Sequence, residues 1–233
     1  MCPRPYQLGR RQAATEQTRA RILAAARELL TAADGLSGFS IEAVARRADV
    51  ARMTVYYQFG SRVGLLEAIF DDLAAHGGME DMPNVFRRPD PLDALAAYIA
   101  AFGRFYGSDR LILRRLRGLA MLDPDLEQAL HARGERRRTG LGVIVQRISE
   151  RYGRPAPETI DEAINILHTL TSFETFDSLA GATRGPQDAV PLVQRLAQTA
   201  LNQEATSSIS ALADRPSDDA SPAACPFDQD TST

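Results

Sequence analysis

The sequence predicts an all-α protein with two parts: an N-terminal helix-turn-helix head and, joined to it by a fourth helix, a larger helical domain. Three observations predict this fold class. Apolar residues recur at helical spacing in every periodic segment, no segment alternates apolar and polar residues as a strand does, and Gly- or Pro-rich breaks separate the segments. With 233 residues, 44% of them hydrophobic, the chain is long enough to bury a core.

The first helix is predicted over residues 15–33 and ends at the breaker sequence of residues 34–38. Its inward face is marked by four apolar residues at helical spacing, Ile22, Ala26, Leu29 and Leu30. Residues 1–14 precede it and are expected to form a flexible basic arm, whose charged residues are Arg4, Arg10 and Arg11.

Two short helices with a sharp turn between them are predicted over about residues 41–60. Ser40 is a favourable N-cap for the first of them. Residues 48–51 are too few for a long loop, so the chain must turn sharply between the two helices. The second helix directs Val55 and Phe59 inward and leaves polar side chains for its other faces. In a helix-turn-helix the second helix enters the major groove of DNA. An ordinary helical hairpin has the same topology and is the alternative, so the topology alone does not establish DNA binding.

A fourth helix begins near Ser61 and carries an apolar stripe with two neighbours to pack on, the head and the following domain. It ends at a Gly-, Pro- and Asp-rich break over residues 77–91, so the predicted domains are 15–76 and 90–202. The second domain is predicted to contain five helices, at 92–106, 111–122, 124–152, 158–179 and 189–201. Residues 203–233 carry too little apolar surface to fold alone and are predicted to be a disordered tail.

Composition and charge limit the classes of function. All 27 basic residues are arginine; residues 1–62 contain ten of them against five acidic residues, whereas the remainder contains 17 arginines and 25 acidic residues. A basic head on an acidic chain suits a protein that binds nucleic acid at one end. No apolar run is long enough for a membrane span, and the N-terminus lacks the apolar core of a secretory signal. Cys2 and Cys225 fit neither a disulfide framework nor a metal site, so we expect a cytoplasmic protein without metal or cofactor.

Three stretches of the head carry a family resemblance: ILAAARELL in the first helix, GLSGFSIEAVARRA around the second, and V-x-x-x-T-V-Y-Y-x-F at the third. Together, over roughly residues 18–73, they resemble the tetracycline-repressor (TetR) family of transcriptional regulators. Three positions depart from the family pattern. Asp49 stands where Gly is usual in the turn, Ala51 where Ser or Thr often caps the recognition helix, and Arg62 where Lys is usual.

The resemblance implies a DNA-contacting set on the recognition helix and at two helix starts: Ser40, Arg52, Thr54, Tyr56, Tyr57, Gln58 and Arg62. Among these, Arg52 is expected to reach guanine, and Gln58 an adenine edge or a phosphate. Thr54 and Tyr56 are expected to hold phosphates, which fixes the register on DNA without reading its sequence.

The resemblance also implies an effector cavity in the second domain. The candidate lining residues are mostly aromatic or apolar: Tyr98, Phe102, Phe105, Tyr106, Met121, His168 and Phe173. Such a wall would prefer a hydrophobic or aromatic effector, and core packing is the alternative role for these residues. The basic cluster within residues 133–138 is expected to form a solvated helix face instead.

The predicted helix at 158–179 is apolar on two faces, which indicates that one face packs on its own domain and the other on a second subunit. The last helix could complete a four-helix dimer contact, and this is also the dimer surface usual in the family. The expected interface residues are Phe173, Leu192, Leu196 and Ala200.

These features predict a homodimeric, ligand-responsive transcriptional regulator. It is expected to act as a repressor that binds a near-palindromic double-stranded DNA operator and is released by a small hydrophobic effector. Two alternatives stay open: a DNA-binding regulator controlled by a protein partner or by no ligand, and an enzyme with a DNA-binding head. The enzyme alternative finds little support, because the sequence has no Gly-rich phosphate loop, no H-E-x-x-H and no G-x-S-x-G.

Overall fold

A computed structural model of the chain describes residues 5–33, 37–156 and 159–202. Within these ranges every regular element is helical, as the sequence predicts. The α-helices are α1 (Pro5–Thr31), α2 (Ile41–Arg47), α3 (Arg52–Phe59), α4 (Arg62–His76), α5 (Met82–Phe86), α6 (Pro91–Ser108), α7 (Arg110–Ala120), α8 (Pro124–Tyr152), α9 (Ile160–Leu170), α10 (Phe173–Ala180) and α11 (Val190–Asn202), with 3-10 turns at Met79–Asp81 and Pro186–Ala189. The predicted tail, residues 203–233, lies outside the described residues, as do residues 1–4 of the predicted arm.

The head is built from α1 to α4 around one apolar core. Ile22, Ala26 and Leu30 of α1 are fully buried, as predicted, together with Val44 of α2 and Val55 of α3. The helix α1 begins at Pro5, whereas the sequence predicted a start near residue 15. Residues 5–14 are therefore helical and do not form a flexible arm; proline suits a first helical position, and the arginines, glutamines and alanines that follow favour a helix.

The turn between α2 and α3 has the geometry that the sequence departures imply. Asp49 adopts a left-handed backbone conformation with φ of 52°, which asparagine and aspartate tolerate better than other non-glycine residues. Ala51 is the N-cap of α3 and makes no side-chain capping hydrogen bond. By contrast, the Ser40 and Ser61 hydroxyl oxygens accept hydrogen bonds from backbone N–H groups in the first turns of α2 and α4.

The second domain differs from the prediction at two places. The predicted break at residues 77–91 contains the Met79–Asp81 turn and the short helix α5. The predicted single helix at 158–179 is divided into α9 and α10. The division falls at Thr171 and Ser172. The buried Thr171 hydroxyl donates back to the carbonyl of Leu167 (2.8 Å), and the Ser172 hydroxyl caps the new helix by accepting from the N–H of Thr175 (3.2 Å).

Helix α4 connects the two parts of the chain, as its apolar stripe predicts. It packs on α1 and α3 of the head and on α6 and α8 of the second domain, and all of them share a continuous core. A second junction joins α1 to α7, where the Arg115 guanidinium donates to the carbonyls of Leu30 and Ala32. No helix within the described ranges combines the length and apolarity needed to cross a bilayer.

Candidate nucleic-acid interface and internal cavity

The outer face of α3 is the candidate nucleic-acid interface. Val55 is buried and fixes the rotation of the helix, so that Tyr57 is 83% exposed and Arg52 also faces outward. Thr54, Tyr56 and Gln58 are half-buried along its flanks. Of the seven predicted DNA contacts, the two fully outward side chains on α3 are therefore Arg52 and Tyr57.

Met53 also lies on this outer face, although it was not among the predicted DNA contacts. The side chain is 55% exposed, and its thioether could contact a thymine methyl group in the major groove. Its position two residues before the inward-facing Val55 was the signal in the sequence, because a helix places residues two apart on different faces.

Arg52 is held by neighbours on the protein surface. Its Nε lies 2.9 Å from Oε1 of Glu42 on α2, and its Nη2 donates to the Tyr56 hydroxyl (3.2 Å). Both ionic groups are more than half exposed, so the pair is weak and a guanine edge or a phosphate could replace Glu42. Ser40 lies at the start of the same helix, α2, where its hydroxyl oxygen accepts from the N–H of Ala43 (3.1 Å).

Arg62 does not have the environment that the sequence analysis expected. Its Nη1 lies 2.6 Å from Oδ2 of Asp123, the N-cap residue of α8, and the guanidinium also lies over the Phe39 ring. The start of α4 and the start of α8 are neighbours in the fold, which a residue-by-residue family comparison of the head could not reveal. Arg62 is thus paired with a carboxylate of the second domain where a free phosphate ligand was expected.

A cavity of about 270 Å³ lies between α4, α6 and α8 in the second domain. Four of the predicted lining residues do line it: Tyr98, Phe102, Phe105 and Tyr106. Met121 does not, because it lies in the turn after α7 and is 85% exposed. The rest of the wall includes two residues of α4, three apolar residues before α6 and four arginines: Phe70, Ala74, Met79, Met82, Phe86, Arg117, Arg133, Arg136 and Arg137.

His168 and Phe173 lie one layer behind the cavity wall. The His168 Nε2 atom is 2.9 Å from Nη2 of Arg137, and the Phe173 ring meets the Tyr106 ring edge to face at 5.5 Å. Both residues support lining side chains without lining the cavity themselves. Phe173 is buried within its own subunit, so it cannot be the interface residue that the sequence analysis expected.

The arginines in the cavity wall correct the expectation that residues 133–138 form a solvated face. Arg133 and Arg137 point inward because they continue the buried stripe of α8 formed by Leu126, Leu130 and Leu141, with steps of three or four residues. That register was a signal in the sequence. It was outweighed by the general preference of arginine for the surface.

Arg137 is the centre of a hydrogen-bond network behind the aromatic wall. Its Nη1 donates to the Tyr106 hydroxyl (2.9 Å) and to the Thr171 carbonyl (2.7 Å). The Tyr106 hydroxyl in turn donates to the same carbonyl (3.0 Å), and the Tyr98 hydroxyl donates to the carbonyl of Arg137 (2.9 Å). Burial raises the pKa of both phenols, the charge of Arg137 opposing it only in part, so both tyrosines stay protonated as donors.

The His168 ring is neutral at physiological pH in this setting. Burial lowers its pKa, and the positive charge of Arg137 lowers it further. Its Nε2 also lies 3.1 Å from the carbonyl of Gly134, but one neutral nitrogen cannot accept from Arg137 and donate to a carbonyl at once. Because arginine can only donate, the arrangement with Nε2 as acceptor keeps the stronger, charge-assisted hydrogen bond.

Arg133 connects the cavity wall to α4. Its guanidinium pairs with Asp71 and lies 3.6 Å from Oε1 of Glu67, both on α4, and it covers the Phe70 ring at 4.6 Å. Arg133 therefore contacts both the cavity and α4, the helix that directly follows the recognition helix α3.

The outer face of α11 carries the other predicted interface residues. Val193, Ala197 and Leu201 face the core, whereas Leu192 and Ala200 are half-buried and Leu196 is 40% exposed. The three predicted residues thus share a face that its own subunit does not cover completely. Among the described residues, no group of three histidine, cysteine, aspartate or glutamate side chains could hold a metal ion.

Comparison with known proteins agrees with this geometry. Residues 22–69 match the family of bacterial regulatory proteins described as the tetR family. No curated protein sequence gives a match. The fold is shared with the TetR family transcriptional regulator PfmR of Thermus thermophilus, at 19% identity and a TM-score of 0.59, covering 78% of this chain and 100% of that one.

Two further solved structures show the same fold. GusR of Salmonella enterica is 20% identical with a TM-score of 0.60, covering 80% of this chain and 96% of that one. A transcriptional regulator of Rhodococcus sp. Rha1 is 20% identical with a TM-score of 0.58, covering 78% of this chain and 95% of that one. Residues 22–69 therefore belong to the tetR family of bacterial regulatory proteins, and the chain as a whole shares the all-α fold of these solved structures.

Proposed function

We propose that the protein is a homodimeric repressor that leaves its operator when a small effector occupies the cavity. The observation that carries this proposal is the position of Arg133, which lines the cavity and pairs with Asp71 and Glu67 of α4. An effector that displaces Arg133 or Phe70 would act directly on α4. A change at α4 is passed to the head, because α4 packs on α1 and α3.

Operator binding would use one α3 from each subunit. Two such helices related by a two-fold axis read half-sites about one helical turn apart, so the operator is near-palindromic. We assign the subunit contact to the outer face of α11, where Leu192, Leu196 and Ala200 are incompletely covered, together with that of α9, where Ile166 and Leu170 are half-buried. Operator binding would take place in the cytoplasm.

Release follows from linkage. Two conformations of the dimer would differ in the distance between their DNA-binding heads. An effector shifts the equilibrium between them only by the difference in its affinity for the two conformations. The cavity supplies that difference, since its wall includes Phe70 and Ala74 of α4 and would change shape when α4 moves. An open cavity supports this mechanism over a regulator without a ligand, and its apolar, aromatic wall suits binding better than catalysis.

The test is an electrophoretic shift on the DNA that flanks the protein's own coding region, with and without small molecules. A site selected from random DNA serves as a second substrate. We expect a near-palindromic site bound by two chains, and release by at least one molecule that also raises the melting temperature. Binding as a monomer to an asymmetric site would contradict the proposal.

A cavity-filling variant separates effector response from DNA binding. Gly134→Leu adds a side chain to the cavity wall at a place where a Cβ meets nothing closer than 3.9 Å. This variant should bind the operator as the wild type does but should ignore the effector. Release of the variant by the same effector concentration would show that the effector binds elsewhere.

A further inference from the structure

The cavity wall is strongly asymmetric in charge. Among the described residues, four arginines and no acidic residue line it. The remaining wall is aromatic, thioether or aliphatic. Building on the proposed effector function, we infer that the effector is a small organic anion: an acidic group on an apolar body, with the acidic group bound by Arg137.

Arg137 is distinguished from the other wall arginines by its partners. Arg133 is neutralised by Asp71 and Glu67, and Arg117 lies 3.4 Å from Oε1 of Glu174. Arg136 is exposed, so water solvates its charge. Arg137 lies within salt-bridge distance of no carboxylate in the described part of the chain, and its side-chain partners are the neutral Tyr106 hydroxyl, Thr171 carbonyl and His168 ring.

The positive charge of the half-buried Arg137 guanidinium is only partly compensated by its neutral hydrogen-bond partners. Neutral acceptors satisfy part of the guanidinium, but the Nε atoms of both Arg133 and Arg137 are buried and have no acceptor among the described residues. Desolvating a charge is costly unless a counter-charge is present. An anion in the cavity would supply that counter-charge, and a planar carboxylate or a sulfonate matches the forked donor geometry of a guanidinium.

The rest of the wall defines the body of the ligand. Phe70, Phe102, Phe105 and Tyr106 form a chain of edge-on or tilted ring contacts with centroids 5.1 to 6.4 Å apart. Met79 and Met82 add adaptable apolar surface. A volume of about 270 Å³ lies just below the usual range of ligand pockets, roughly 300–1,000 Å³. One or two aromatic rings, or a short alkyl chain, would fill it, whereas a cation would be repelled by the arginines.

Two fluorescent probes that differ by one group test the inference. 5-Amino-1-naphthalenesulfonate carries a sulfonate, and 1-naphthylamine is the same two-ring aromatic body without it. We expect the sulfonate to bind the wild-type protein at least about tenfold more tightly than the neutral amine, the gain of a hydrogen-bonded charge pair. 2-Naphthoate, a carboxylate, should displace the bound sulfonate probe, and the neutral 2-naphthamide should not.

Arg137→Gln should abolish most of the preference for the sulfonate: it should lower the affinity for the sulfonate about tenfold more than it lowers the affinity for the neutral amine. Arg104→Gln, an exposed arginine of α6 outside the cavity wall, is the matched control and should change neither affinity. The comparison of the two probes on the wild-type protein needs no substitution, so it stands even if Arg137→Gln folds poorly.

The outcomes separate this inference from the function on which it rests. Equal affinity for both probes, with both excluded by the cavity-filling Gly134→Leu, would overturn the anion inference and keep the effector cavity. Binding of neither probe would contradict the effector cavity and the anion inference together. A sulfonate preference that survives Arg137→Gln would place the anion site elsewhere on the protein, which also overturns the inference.

Discussion

Arg62 at the start of α4 forms a 2.6 Å ion pair with Asp123, the residue that caps α8. The pair joins the DNA-binding head to the domain that contains the cavity. It also occupies the arginine that stands at the family's usual position for a phosphate-binding lysine. We therefore expect the charge of Arg62 to serve two tasks, holding the domains together and attracting DNA.

Asp123→Asn should separate these two tasks. Asparagine caps a helix as well as aspartate, so α8 keeps its start while the ion pair is lost. We expect the free energy of unfolding to fall by about 1 kcal/mol or less, as for partly exposed pairs. DNA affinity at low salt should rise, because Arg62 is then free to contact a phosphate. Urea unfolding and a salt titration of DNA binding measure both effects.

Arg62→Ala is the complementary variant. Its free energy of unfolding should fall by as much as that of Asp123→Asn, but its DNA affinity should not rise. Adding Asp123→Asn to Arg62→Ala should change neither the stability nor the DNA affinity further. If both single variants weaken DNA binding equally, the pair contributes only to the alignment of the head and Arg62 has no phosphate role.

Arg52→Ala should reduce specific binding more than general binding. Loss of a base contact costs ~1–3 kcal/mol at the cognate site and relaxes preference at one base pair. Glu42→Gln removes the carboxylate that competes for Arg52 and should strengthen binding instead. Fluorescence anisotropy on the operator and on a scrambled duplex distinguishes these effects; an equal loss on both duplexes would show that Arg52 contacts only phosphates.

Leu196→Asp should weaken the dimer. The side chain lies on the exposed face of α11, where a charge would be desolvated by a partner subunit. Sedimentation should show dissociation at concentrations where the wild type is dimeric, and operator affinity should fall with it. Leu111→Asp is the matched control, because this leucine of α7 is equally exposed, at 42% against 40% for Leu196. A dimer that tolerates Leu196→Asp as well as Leu111→Asp would place the interface elsewhere.

Stability should depend on the His168 ring below neutral pH. Burial and then Arg137 lower its folded-state pKa, so the unfolded chain binds this proton more readily than the folded one. The stability that the neutral His168 ring contributes is therefore fully present above the unfolded-state pKa of about 6.5 and is lost as the pH falls below that value. The melting temperature of the wild type should fall between pH 7.5 and pH 5.5, and His168→Gln should reduce that fall. His131→Gln, at an exposed position on α8, should not.

Ala51→Ser should stabilise the head. Ala51 is an N-cap without a side-chain hydrogen bond, and its extended backbone conformation (φ −67°, ψ 145°) suits a capping serine. The gain should be about 1 kcal/mol in the free energy of unfolding. Thermal melts with and without operator DNA measure it. No gain, or a loss, would show that the serine side chain does not reach the first turn of α3.

The sequence by itself determined the local structure of the head. Helical spacing predicted that Ile22, Ala26, Leu30 and Val55 are buried, and Val55 in turn directs the predicted DNA contacts of α3 outward. The family resemblance identified Asp49 as standing where Gly is usual, and the left-handed backbone of Asp49 agrees with that substitution. These properties depend on residues within a few positions of each other, and the periodicity of a helix reports them directly.

Only the tertiary structure decided which charges are paired and which face the cavity. Helical spacing placed Arg133 and Arg137 on one face of α8 but did not show that α4 and α6 enclose that face. It likewise left Phe173 open to two roles until the Tyr106 ring was found against it. The partners of Arg62 and Arg137 lie 61 and 31 to 34 residues away along the chain. Such contacts depend on how whole helices cross, a property that the spacing of residues within one helix does not contain.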